Sequence, residues 1–173
     1  MRCNERFRKA GAAIALCVAV GLIPAGPVTA VEAGTTAPAF ELAGQNGLLR
    51  LANFQGKVVY LDFWASWCGP CRQSFPWMND LQKKYADQGL QVISVNLDAQ
   101  RADADRFLRA VPANFAIAFD PAGLTPRQYG VKGMPTSFLI GRDGKVITQQ
   151  VGFRPSESSA LEQKIRDTLR STP

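Results

Sequence analysis

Apolar and polar positions change period along this chain often enough to assign most of its elements. Phe40-Glu41-Leu42 and Leu49-Arg50-Leu51 alternate around Gly44-Gln45-Asn46-Gly47, which predicts a β-hairpin. Lys57–Trp64 is almost wholly apolar and rich in β-formers, the pattern of a central strand buried on both faces. Only Asp62 interrupts it. From Gly69 to about Asp87 the period becomes helical, with Phe75, Met78, Leu81 and Tyr85 three or four residues apart. Pro70 suits a first helical turn, Pro76 should kink the helix, and Gly89 should close it as a C-cap. Leu90–Leu97 reads as the next buried strand, with Asp98 at its end, and Asp103–Val111 as an amphipathic helix before Pro112. Phe115–Phe119 is a short strand, and Pro121–Gly130 a turn with a helical segment. Thr136–Ile140 and Val146–Val151 form a hairpin around Arg142-Asp143-Gly144-Lys145. Ser156 is placed to cap a last helix with Leu161, Ile165 and Leu169 inward.

This order gives an α/β fold: a mixed central sheet flanked by helices on both faces, with an N-terminal β-hairpin and a central α/β insertion. Right-handed crossovers place the start of the Gly69 helix at the carboxyl end of the first central strand, the edge where open α/β sheets bind and react.

The first thirty residues follow a different pattern. Arg2, Arg6, Arg8 and Lys9 precede a 14-residue run, Ala10 to Ile23, and Val28-Thr29-Ala30 offers a cleavage site, with Ala33 as a second. We expect residues 1–30 to be a cleavable signal peptide and 31–173 the mature domain, working in the periplasm. The run is short for a bilayer span, which takes about 20 residues. A retained anchor is the alternative, as is a lipid on Cys17, although Ile14-Ala15-Leu16 lacks a small residue directly before that cysteine. Of the net charge of +6, four cations against Glu5 give +3 in this segment, leaving +3 for the rest. So small an excess is no footprint for nucleic acid, and no nucleic-acid partner is expected.

Cleavage removes Cys3 and Cys17 and leaves Cys68 and Cys71 as the only thiols. A structural disulfide closing so short a loop constrains the unfolded chain little, so in an oxidising compartment this pair reads as reactive. With no His in the chain, the pair cannot complete a tetrahedral zinc site, and Arg72 stands where haem attachment needs His. No metal or cofactor is expected. Cys68 falls where strand gives way to helix, so unpaired N–H groups and the helix dipole favour its thiolate, the attacking species. Cys71, one turn on, is placed to resolve a mixed disulfide and should be the more buried and less acidic thiol. Asp62, buried without a charge partner, should have a raised pKa and could take the Cys71 proton. The alternative for Asp62 is a purely structural carboxylate bonded to nearby backbone. Trp64 is expected in the core, Trp67 partly exposed beside the thiols, and Trp77 in packing. From pattern alone, Met134-Pro135-Thr136 carries no preference for a cis bond.

Val58–Cys71, ending in Trp67-Cys68-Gly69-Pro70-Cys71, together with Gly133-Met134-Pro135-Thr136, resembles the thioredoxin superfamily. The N-terminal hairpin, the inserted helix and strand, and the export signal resemble its TlpA/ResA-type branch over about residues 35–170. That resemblance implies a thioredoxin-like fold and a periplasmic thiol–disulfide oxidoreductase reducing protein disulfides. It implies Cys68 as nucleophile, Cys71 as resolving thiol in a redox-active disulfide, Asp62 as the buried acid, and Pro135 in a cis-proline loop. Trp67, Gly69, Pro70, Met134, Pro135 and Thr136 would then form the substrate surface. Apocytochrome c or a copper-chaperone dithiol are the implied clients, and a membrane donor of the DsbD or CcdA type the source of electrons. Two positions depart from many ResA-type reductases: Ser74 replaces a Glu six residues after the first cysteine, and Asp62 replaces an Asn. A disulfide isomerase's dimerisation domain has no counterpart, and a monomer is expected. Rival readings are a thiol peroxidase, although no Thr-containing peroxidatic loop precedes Cys68, and a copper-binding dithiol carrier.

Overall fold

The computed structural model describes residues 31–171. The expected signal peptide, residues 1–30 with Cys3 and Cys17, lies outside them. The hairpin strands are β1 (Glu41–Gly44) and β2 (Gly47–Arg50), followed by β3 (Val58–Trp64), α1 (Gly69–Tyr85), β4 (Leu90–Asn96) and α2 (Arg101–Ala110). Then come β5 (Ala116–Phe119), α3 (Leu124–Gln128), β6 (Thr136–Ile140), β7 (Val146–Val151) and α4 (Ser158–Arg170). The strands form one seven-stranded sheet in the order β2-β1-β5-β4-β3-β6-β7. β3, β4 and β5 run parallel, and β1, β6 and β7 join antiparallel to their neighbours. The N-terminal hairpin therefore attaches to the inserted strand, Ala43 opposite Phe119 and Gly44 opposite Ala118, rather than to the central β3.

Helices lie on both faces, as the pattern predicts, but unevenly. Along β3, Val58, Tyr60 and Trp64 point into a core closed by Phe75, Met78 and Leu81 of α1, Phe107 of α2, and Leu161, Ile165 and Leu169 of α4. Trp64 is fully buried there, its ring 4.8 Å from Phe75 and 4.6 Å from Phe107. Val59, Leu61 and Phe63 face the other way, against Phe40, Tyr129, Phe138 and the partly buried Leu51 and Phe54. That second layer is built from the N-terminal segment and the residue after the short α3 rather than from long helices. Every β3 side chain is buried, which explains why the strand is apolar apart from Asp62 and the Tyr60 hydroxyl.

The expected Ser156 cap is not what starts the last helix. Pro155–Glu157 forms a 3-10 turn, and α4 begins at Ser158 with no side-chain cap. The fixed φ of Pro155 has already started a tight turn at that point. The Ser158 hydroxyl closes it by donating to the Pro155 carbonyl at 2.7 Å. α1 runs through Pro76 as one helix and passes into a 3-10 turn at Ala86–Gln88, ended by Gly89 at φ 95°. The left-handed backbone of Gly89 is what favours glycine there, and an added Cβ would also displace the end of the Arg142 side chain, whose Nη1 would lie 2.8 Å away.

Arg142, in the β6–β7 turn, donates to the carbonyls of Gly56 (2.9 Å), Gln88 (3.0 Å) and Leu169 (3.3 Å). It thereby ties together the segments before β3 and β4 and the end of α4, at the end of the sheet away from the cysteines. Arg142→Met should lower unfolding free energy by about 1–3 kcal/mol in a urea titration, with thiol exchange at Cys68 unchanged. Equal stability would mean that water replaces the guanidinium without loss.

Candidate redox site

β3 ends at Trp64, and Ala65–Trp67 carry the chain into α1. Cys68 is the N-cap of that helix and Pro70 lies in its first turn. The Cys71 N–H donates to Cys68 Sγ at 3.2 Å, so the first cysteine's sulfur occupies the anion-favouring position of the helix end. The two cysteines form a disulfide, with Cα atoms 5.3 Å apart. Cys68 is 5% exposed and Cys71 0%, the order expected for an attacking and a resolving thiol. Beside them Trp67 stands 72% exposed. Gly69 and Pro70 are also exposed, and a Cβ built on Gly69 would meet no atom within 4 Å. No contact within the protein therefore excludes a side chain at that position, and the sulfur-bearing surface stays open. Ser74 is buried, and its hydroxyl donates to the Cys71 carbonyl at 3.0 Å.

β6 runs antiparallel to β3 with Thr136 opposite Phe63, which sets Pro135 beside the end of β3. The Met134–Pro135 bond is cis. The Pro135 carbonyl accepts from the Gly152 N–H at 2.8 Å, and the Thr136 hydroxyl donates to the Gly133 carbonyl at 2.7 Å. Met134 packs at the edge of the core that contains both cysteines. The residues expected at the substrate surface thus gather at one end of the sheet, but Trp67, Gly69 and Pro70 are exposed there while Met134 is half-buried and Pro135 and Thr136 are buried. An apolar hollow of about 260 Å³, lined by Ala37, Leu51, Phe54, Val59 and Ile140, lies at the opposite end.

Asp62 lies in β3 between Tyr60 and Trp64, so strand alternation turns it to the face covered by α1 and Cys71. It is 2% exposed. Burial pushes its carboxyl from the usual 3.8 up to about 8, and a hydrogen bond from the Ser94 hydroxyl, 3.1 Å away, works against that rise. Tyr60 donates to the Ser137 hydroxyl at 2.7 Å, and burial, with the neighbouring Asp62 carboxylate, raises its own pKa. Trp64 and Trp77 behave as expected, Trp77 packing 5.5 Å from Tyr60 and 5.4 Å from Phe153.

A further group was missed in the sequence. The Asp98 carboxylate accepts from the Ser66 N–H (2.9 Å), the Ser66 hydroxyl (3.0 Å) and the Asn96 amide (2.8 Å). Asn96 in turn accepts from the Asp98 N–H at 3.1 Å. This clamp fixes the loop two residues before Cys68. The signal for it was present: Ser94, Asn96 and Asp98 recur at every second position from an otherwise apolar strand, which marks one polar stripe directed at the site.

The Redoxin family matches residues 32–165. This chain belongs to that family. Over 137 residues it is 36% identical to the thiol-disulfide oxidoreductase ResA of Bacillus thuringiensis subsp. konkukian (strain 97-27), covering 79% of this chain and 78% of that one. A crystal structure from Chlorobium tepidum, provisionally described as a thiol:disulfide interchange protein DsbE, superposes with a TM-score of 0.80 at 61% identity, over 81% of this chain and 99% of that one. The exposed lipoprotein thioredoxin Etrx1 of Streptococcus pneumoniae strain TIGR4 gives a TM-score of 0.66 at 32% identity, over 75% and 99% of the two chains. Redoxin membership and the Cys68–Cys71 pair agree on a thiol–disulfide oxidoreductase of ResA type, with a thioredoxin-like fold.

The buried acid also has a stability signature. Between 3.8 and about 8 the folded chain keeps a proton on Asp62 that the unfolded chain has lost, so stability falls as pH rises through that window and levels off above it. In the oxidised protein, Asp62→Asn should remove this slope. Unfolding titrations should show the variant gaining on the wild type by on the order of 5 kcal/mol between pH 4 and pH 9. Parallel stability curves would place the Asp62 pKa in the ordinary carboxyl range.

Proposed function

We propose that this Redoxin-family protein reduces disulfides in other proteins, in the periplasm, after residues 1–30 have directed its export. The observation that carries the reading is the unequal environment of the two sulfurs. One caps a helix beside an open, apolar surface, and the other is sealed against a buried acid's face. The Cys68 thiolate attacks one sulfur of a client disulfide; the client S–S bond breaks, a mixed disulfide forms, and the departing client sulfur takes up a proton. Asp62 as carboxylate accepts the Cys71 proton. The Cys71 sulfur attacks Cys68 Sγ, the mixed disulfide breaks, and the client's second thiolate leaves. Two electrons have passed to the client, and Cys68–Cys71 ends as a disulfide.

Trp67, Gly69 and Pro70 form the exposed surface that receives the client, with the half-buried Met134 and the buried Pro135 and Thr136 beside it. Its openness supports a protein segment as substrate rather than a small molecule held in a cavity. The likeness to an exposed lipoprotein thioredoxin supports work outside the cytoplasm. Among the described residues no helix is long and apolar enough to cross a membrane. Re-reduction falls to a membrane dithiol donor of the DsbD or CcdA type, and apocytochrome c or a copper-chaperone dithiol are clients of suitable chemistry. The domain, residues 31–173, acts as a monomer.

Cys71→Ala should stall the reaction at the mixed disulfide. Non-reducing gels of periplasmic extracts should show client adducts that vanish on adding dithiothreitol and are absent in Cys68→Ala. Equal adducts in both variants, or none in either, would contradict a Cys68-first dithiol mechanism. Efficient peroxide turnover by Cys71→Ser would favour the peroxidase reading.

A further inference from the structure

Asp62 has two direct neighbours across the sheet, Ser94 on β4 and Ser137 on β6. They are not equivalent. The Ser137 hydroxyl is taken up by Tyr60, whereas the fully buried Ser94 directs its hydroxyl at Asp62 Oδ2, 3.1 Å away. We propose that Ser94 is a positioning residue that sets the pH at which Asp62 can accept the proton of the resolving thiol. The proposal rests on the role given to Asp62 above.

The carboxylate form of Asp62 is the base, and an O–H donor stabilises that form over the neutral acid. For a carboxyl buried as deeply as Asp62, that single donor is the main counterweight to desolvation. The other groups around Asp62 leave it this role. Tyr60 on β3 points its proton at Ser137, and on β4 and β6 the same face carries Val92, Asn96 and Leu139. Cys71, Ser74, Phe75 and Met78 come from α1, where Ser74 is bonded to the Cys71 carbonyl. Phe107 comes from α2 and Leu161, Ile165 and Leu169 from α4. The charged Glu162 of α4 is engaged by Tyr85 and Lys84. In the oxidised protein, burial first and the Ser94 bond second are the influences on the Asp62 carboxyl. Ser94 thus keeps the base from being pushed still further above neutrality.

The test is the pH profile of the resolving step, followed by rapid mixing of reduced protein with a small aromatic disulfide and release of its second thiolate. Ser94→Ala should move the alkaline-rising limb upward by about one pH unit and slow resolution near pH 7 about tenfold. Ser94→Thr, which keeps the hydroxyl, should restore the wild-type midpoint. Asp62→Asn serves as reference and should abolish the limb. If Asp62→Asn abolishes it but Ser94→Ala leaves the midpoint in place or lowers it, the role of Ser94 is overturned and that of Asp62 stands. If the limb survives in Asp62→Asn, both fall. A midpoint raised equally in Ser94→Ala and Ser94→Thr would also overturn the proposal, since the shift would then follow packing and not the hydroxyl.

Discussion

One carboxyl group enclosed beneath a helix is the constraint on which the site depends. Asp62 breaks the apolar run of the central strand, and nothing in packing asks for it there, since every neighbour on β3 is buried and apolar except Tyr60. Burying such a group costs free energy unless it stays neutral or is paired. Here it has one hydroxyl donor and a pKa raised to about 8. The fold therefore holds a proton-exchanging group, at some cost in stability, on the face that carries Cys71. Such an arrangement is expected where the cost serves chemistry.

The remaining parts of the site are held by elements rather than by a cavity. Parallel β3, β4 and β5 bring their carboxyl ends to one edge, and the crossover from β3 makes Cys68 the cap of α1. Across that edge the Asp98–Asn96–Ser66 clamp ties the cysteine loop to the end of β4, while the Gly152–Pro135 bond ties the proline loop to β7. The sulfurs thus sit on a braced rim with Trp67 projecting beside them. A rim of this kind suits an extended protein segment and leaves client choice to contacts around the thiols.

Much of this architecture is legible in residues. Period-two runs and the Asp143-Gly144 turn locate the strands, and Leu161, Ile165 and Leu169 lie inward as their spacing predicts. The cysteines, Asp62 and the proline loop are short-range signals that stand out against an apolar background. What local pattern does not carry is pairing. The hairpin's attachment to β5 depends on sheet order, and the Asp98 clamp on the registry of β4 with β3. Ser94 resembles any small buried residue until the strand across from it is known. Ser156 failed as a cap because Pro155 had already begun a turn, a competition of two local rules that composition cannot rank.

The chemistry of the site turns on one proton. Isotope-edited infrared spectroscopy of the oxidised protein, with labelled aspartate and Asp62→Asn for subtraction, reads the Asp62 carboxyl directly as pH is raised. The protonated carbonyl band assigned to Asp62 should persist through neutrality and disappear with a midpoint near 8. Loss of that band near pH 4 would show an ordinary exposed-type carboxylate and contradict the account of Asp62 as the proton acceptor held ready beneath Cys71.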